Sequence, residues 1–131
     1  MHIELTSVMV NDQSAALTFY TEILGFVMKH DIPVGEDRWL TVVSPHGPST
    51  VELLLEPNHN PMLDGAERTF QRALFKAGIP ITGFRVDDIH AEYARLQALG
   101  VRFTIEPAEA GEVTAAVFDD TCGNLLQIYQ V

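Results

Sequence analysis

The chain has 131 residues, 47% of them hydrophobic, and a formal charge of −10 from 8 basic and 18 acidic side chains. That length suits one domain with a real core, and the acidic balance argues against nucleic-acid backbones and anionic membrane surfaces, which require clustered basic residues. No uncharged apolar run is long enough to span a bilayer and no basic-then-apolar leader is present, so a soluble, unexported protein is expected. The single cysteine, Cys122, has no intrachain partner, which fits a reducing cytoplasm.

Residues 3–10 alternate and are rich in branched side chains, predicting a strand with Ile3, Leu5, Ser7 and Met9 on one face. Asn11-Asp12 is placed to cap a helix, because a short side-chain oxygen accepts from free first-turn N–H groups. Ala16, Phe19, Tyr20, Ile23 and Leu24 then recur at helical spacing, and Gly25 permits the left-handed stop. Strands follow over residues 26–32, 38–44 and 50–56, with a turn at 33–35. Residues 57–66 read as a polar connection and residues 67–77 as a short helix, with Phe70, Ala73, Leu74 and Ala77 as its apolar face.

The pattern then repeats. A strand over 80–86, a polar Asp87-Asp88 turn and a helix to Leu99-Gly100 reproduce the opening order, Val10 matching Val86 and Leu24-Gly25 matching Leu99-Gly100. Strands over 101–105, 114–118 and 125–130 complete the second half, with residues 107–112 as a connection. The expected fold class is α+β, with two pseudo-symmetric βαβββ modules forming a curved mixed sheet around a cleft. Module one covers 1–56, the connection 57–79 and module two 80–131, within one domain. Strand residues facing away from the helices should line the cleft.

Three motifs carry a family resemblance: V-N-D with F-Y and L-G-F near the start, V-D-D with L-x-x-L-G-V, and D-D-x-x-G-N-L-L-Q-I-Y at the end. Together they resemble the vicinal oxygen chelate superfamily, which includes glyoxalase I, extradiol dioxygenases and bleomycin-binding proteins. The resemblance implies a divalent metal (zinc, nickel, manganese or iron) held by about four His, Glu or Gln side chains and acting as a Lewis acid. The ligand positions fall on Leu5, Glu52, Ile81 and Gln127. Two of the four, Leu5 and Ile81, are apolar where histidine is usual, so no standard metal site is expected; any metal would rest on Glu52 and Gln127.

A binding protein is therefore the first expectation, with no cofactor and with a small organic molecule lined by Leu5, Ser7, Met9, Glu52, Leu54, Arg85, Gln127 and Tyr129. The alternatives are a glyoxalase-like lyase or dioxygenase with a non-standard metal set, or a metal-free isomerase or lyase. In the last, Glu52 is the general base and Arg85, its expected partner, stabilises an anion. Trp39 is expected in the core, and His59 is the histidine best placed to touch a ligand. Cys122 is expected near the surface, open to oxidation. The resemblance also implies a homodimer.

Overall fold

The computed structural model describes residues 1–131. The chain folds as two compact units, Met1–Thr69 and Phe70–Val131. The first contains β1 (Leu5–Val10), α1 (Gln13–Thr18), β2 (Val27–Val34), β3 (Asp37–Val43) and β4 (Glu52–Pro57). Its sheet has the order β1-β4-β3-β2, with β1 parallel to β4 and the other pairs antiparallel.

Asp12 caps α1 as its sequence position predicts, its carboxylate accepting from Ala15 N–H at 2.9 Å. Beyond Thr18 the helix widens into a π-helical turn, Phe19–Ile23, and the Leu24 N–H reaches back to the Phe19 carbonyl. Gly25 then ends it at φ 86°. The helix lies on β3 and β4, burying Ala16, Phe19 and Tyr20 with Val8, Val10, Leu40, Val42, Leu53 and Leu55. Each large apolar side chain so removed from water contributes about 2 kcal/mol before conformational entropy is set against it.

The second unit repeats this plan with β5 (Thr82–Arg85), α3 (Ile89–Ala98), β6 (Phe103–Ala110), β7 (Val113–Asp119) and β8 (Leu125–Gln130), in the order β5-β8-β7-β6. Asp88 caps α3 through Ala91 N–H at 3.0 Å, the counterpart of Asp12. Ile89 and Leu96 of α3 are buried, as are Ala116, Phe118, Leu126 and Ile128 of the sheet. Tyr93, Phe103 and Phe118 extend that core, with ring centroids 4.6 and 5.4 Å apart. The fold is α+β, as expected.

Two strands outrun their expected ends. β2 continues through Pro33 and β6 through Pro107, where a turn and a connection were expected. Both are edge strands, where proline's missing N–H breaks no inner ladder, and β6 shifts register beside Pro107, between Ile105 and Ala108.

The helix between the repeats, α2 (Ala66–Lys76), buries a different face from the expected one. Phe70, Ala73 and Ala77 are exposed, while Glu67 and Gln71 are buried. Gln71 turns inward because its amide meets Asn124 Oδ1 at 3.0 Å. Asn124 is itself held by buried Asp120, whose carboxylate accepts from Cys122 N–H, Asn124 N–H and Asn124 Nδ2 at 2.7 to 2.9 Å. This closed polar turn buries Cys122 completely, against the expectation of an exposed, oxidisable thiol.

Candidate functional site

In each unit the helix covers one sheet face and leaves the other open. On the open face of the first sheet stand Leu5, Ser7 and Met9 from β1, Glu52, Leu54 and Glu56 from β4, and Trp39, Thr41 and Val43 from β3. The expected candidates of this half, Leu5, Ser7, Met9, Glu52 and Leu54, thus share one surface. Leu5 sits directly beside Glu52 in the parallel register.

Glu52 is the best-connected polar group on this face. Thr41 Oγ1 donates to its Oε1 at 2.7 Å, Lys29 Nζ lies 3.2 Å from Oε2, and His30 Nε2 is 3.6 Å from Oε1. Lys29 is also fixed by the Ser49 carbonyl at 2.9 Å. The Thr41 hydroxyl, and after it Lys29 and His30, hold the Glu52 carboxyl below the usual carboxylate range against a partial desolvation that raises it.

These partners all come from Glu52's own sheet. Arg85 is exposed and makes no ion pair. Lys29 and His30 escaped the sequence reading because the β2–β3 register shifts between Met28 and His30, whereas Thr41 reaches Glu52 through the regular β3–β4 pairing. That bulge turns Lys29 and His30 together toward Glu52, an arrangement strict alternation does not foresee.

Trp39 was expected in the core but stands on the open face, 38% exposed. Its neighbour Arg38 takes the helix side, where it pairs with Asp31 at 2.9 Å and donates to Ser14 Oγ at 2.7 Å. Alternation sends one of the two to each face, and the α1 hydroxyl with the Asp31 carboxylate decides which. Beyond the Thr41–Leu54 pair, the buried Gln13 amide stands between the strands. Its Nε2 donates to the Arg38 and Leu55 carbonyls at 2.7 and 2.8 Å, and its Oε1 accepts from Arg38 N–H at 3.0 Å.

At that end of the sheet lies a hollow of about 200 Å3, lined by Asn11, Asp12, Glu36, Asp37, Arg38 and His59 among others. His59 Nε2 is 2.9 Å from Asp37 Oδ1.

The open face of the second unit carries Ile81, Gly83, Arg85, Gln127 and Tyr129, so parity again groups the expected candidates. The Tyr129 ring covers Gly83, whose absent Cβ would lie 3.6 Å from it. The lateral register differs from the first unit. Gly83, not Ile81, stands beside Gln127, and Ile81 instead donates its N–H to the Leu125 carbonyl. No group of three or more His, Cys, Asp or Glu side chains is arranged to hold a metal ion. No helix is long and apolar enough to cross a membrane.

Comparison with known proteins fits this architecture. The chain is 55% identical to the uncharacterised protein YurT of Bacillus subtilis (strain 168), over 99% of both chains. Among solved structures, UcmS2 superposes with a TM-score of 0.85 at 35% identity, covering 98% of this chain and 97% of that one. TnmS3, an antibiotic binding protein from Streptomyces sp. CB03234, superposes with a TM-score of 0.74 at 28% identity, over 99% and 95% of the respective chains. Residues 2–128 match the family model for the Glyoxalase/Bleomycin resistance protein/Dioxygenase superfamily, and the chain belongs to that superfamily.

Proposed function

We propose that the protein binds a small organic molecule on the open sheet faces, without the metal chemistry of the superfamily's enzymes. One observation carries this reading: the carboxylate at the metal-ligand position is already neutralised within its own sheet. Lys29 Nζ at 3.2 Å already compensates the Glu52 carboxylate, and Leu5 offers no donor beside it. The residues do not fit the metal. The likeness to TnmS3, an antibiotic binding protein, supports a binding role.

The same geometry speaks against Glu52 as a general base. A carboxylate held as a stable anion by a hydroxyl and an ammonium is a weaker proton acceptor than a free one. Around it, Leu5, Trp39 and Leu54 offer apolar contact, and Ser7 a hydroxyl, the mixture small-molecule sites use.

Two measurements test the reading. Metal analysis of protein purified without a histidine tag should find no stoichiometric zinc, nickel, manganese or iron; metal that disappears in Glu52→Ala would overturn it. A thermal-shift screen of small organic molecules should then give stabilising hits that weaken in Trp39→Ala. By its family the protein is also proposed to be a homodimer, and by its single cysteine a cytoplasmic one; a light-scattering mass near 14.5 kDa would exclude the dimer.

A further inference from the structure

The open face of the first sheet carries a second carboxylate, Glu56, two residues beyond Leu54 on the same strand as Glu52. The two carboxylates are in opposite states. Glu52 is engaged by Thr41, Lys29 and His30. Glu56 is half-buried beside Met9 and makes neither a hydrogen bond nor an ion pair. A partly desolvated carboxylate without a partner gains more from an arriving cation than one already compensated.

Trp39 supplies the other half. It lies two residues before Thr41, as Glu56 lies two after Leu54, and Thr41 and Leu54 are the last paired residues of β3 and β4 toward that end. Past that pair the Gln13 amide takes the hydrogen bonds of Arg38 and Leu55, so the strands separate where Trp39 and Glu56 flank them. The nearby charges also favour a cation. Asp37, two residues before Trp39, presents a further carboxylate, shared with His59, whereas Arg38 is turned to the opposite face by Asp31 and Ser14.

We infer that the ligand bound on this face carries an organic cation, an amine or quaternary ammonium, received between the Glu56 carboxylate and the Trp39 ring. This rests on the small-molecule reading above and names the chemistry of its ligand. A cation over an indole face is attracted by the ring quadrupole, and an ammonium gives Glu56 a charge-assisted hydrogen bond. Glu52, with its partners, then shapes the face instead of contacting the charge.

The chain's single tryptophan makes the test direct. Quenching of Trp39 fluorescence is titrated with 4-phenylbutylamine and with 4-phenylbutan-1-ol, which differ in charge but share a skeleton. The amine should bind about tenfold more tightly than the alcohol. That preference should vanish in Glu56→Gln and in Glu56→Ser. It should persist in Glu22→Gln, which removes the same charge from an exposed helical position and so accounts for general attraction to an acidic protein.

Equal quenching by both compounds overturns the cation and leaves the small-molecule reading standing. A preference that survives in both Glu56 variants moves the charge contact elsewhere and overturns the proposal. No response to either compound overturns Trp39 and Glu56 as the ligand contact, while hits in the thermal-shift screen would still support binding.

Discussion

Thr41 is fully buried, yet its hydroxyl is satisfied because it is spent on Glu52. Thr41→Val keeps the shape and removes the donor, so the Glu52 carboxyl should rise toward the ordinary carboxylate range, as read by carboxyl-carbon NMR titration. An unmoved titration would show that Lys29 and His30 hold the anion without the hydroxyl. The sign for stability follows from the lowered value. Glu52's contribution is complete above the usual carboxylate pKa and is lost as pH falls through the depressed one, and Thr41→Val should shrink it. Parity in the sequence was enough to place Glu52 on the open face with Leu54 and Glu56. Its partners were not legible, because a one-residue bulge in β2 decides that Lys29 and His30 face it.

At the scale of elements, the turn between β7 and β8 illustrates how a loop becomes rigid. Gly123 has φ 103°, and a Cβ there would fall 2.7 Å from Gln71 Nε2. Gly123→Ala should therefore cost about 2–4 kcal/mol in urea unfolding, from backbone strain and a displaced Gln71. A loss under about half a kcal/mol would mean the turn relaxes freely. The D-D-T-C-G-N string announced a turn. That it would bury Asp120 and draw the polar side of α2 inward was not legible, because helical periodicity counts apolar residues only. The true inward residues, Glu67 and Gln71, are a helical turn apart but polar. Repeats were the most legible feature: the two repeated helices, α1 and α3, start at the aspartates the sequence offered as caps, Asp12 and Asp88.

The whole molecule carries a formal charge of −10. Such an excess repels itself most in the compact state, and added salt screens it. Raising sodium chloride from about 10 mM to about 200 mM should raise the thermal midpoint by roughly 2–5 °C. A falling midpoint would show that local ion pairs such as Arg38–Asp31 outweigh the general repulsion. Each unit holds its own sheet, helix and core, and that doubling is what the repeated sequence encodes. The lateral register was not encoded so plainly. Leu5 neighbours Glu52, whereas Gly83, and not Ile81, neighbours Gln127, so matched sequence positions are not matched positions in the sheet.

Gln13 serves as a surrogate peptide group: a side-chain amide that supplies, from the first turn of a helix, the donor and acceptor a missing strand neighbour would have given. A glutamate of the same length would set its carboxylate against two carbonyls, and an asparagine would fall a methylene short. Few positions are so narrowly spelled, since only one of the twenty side chains offers two donors and an acceptor at that reach. The separation of β3 and β4 beside Trp39 is therefore a built spacing, spanned by one amide.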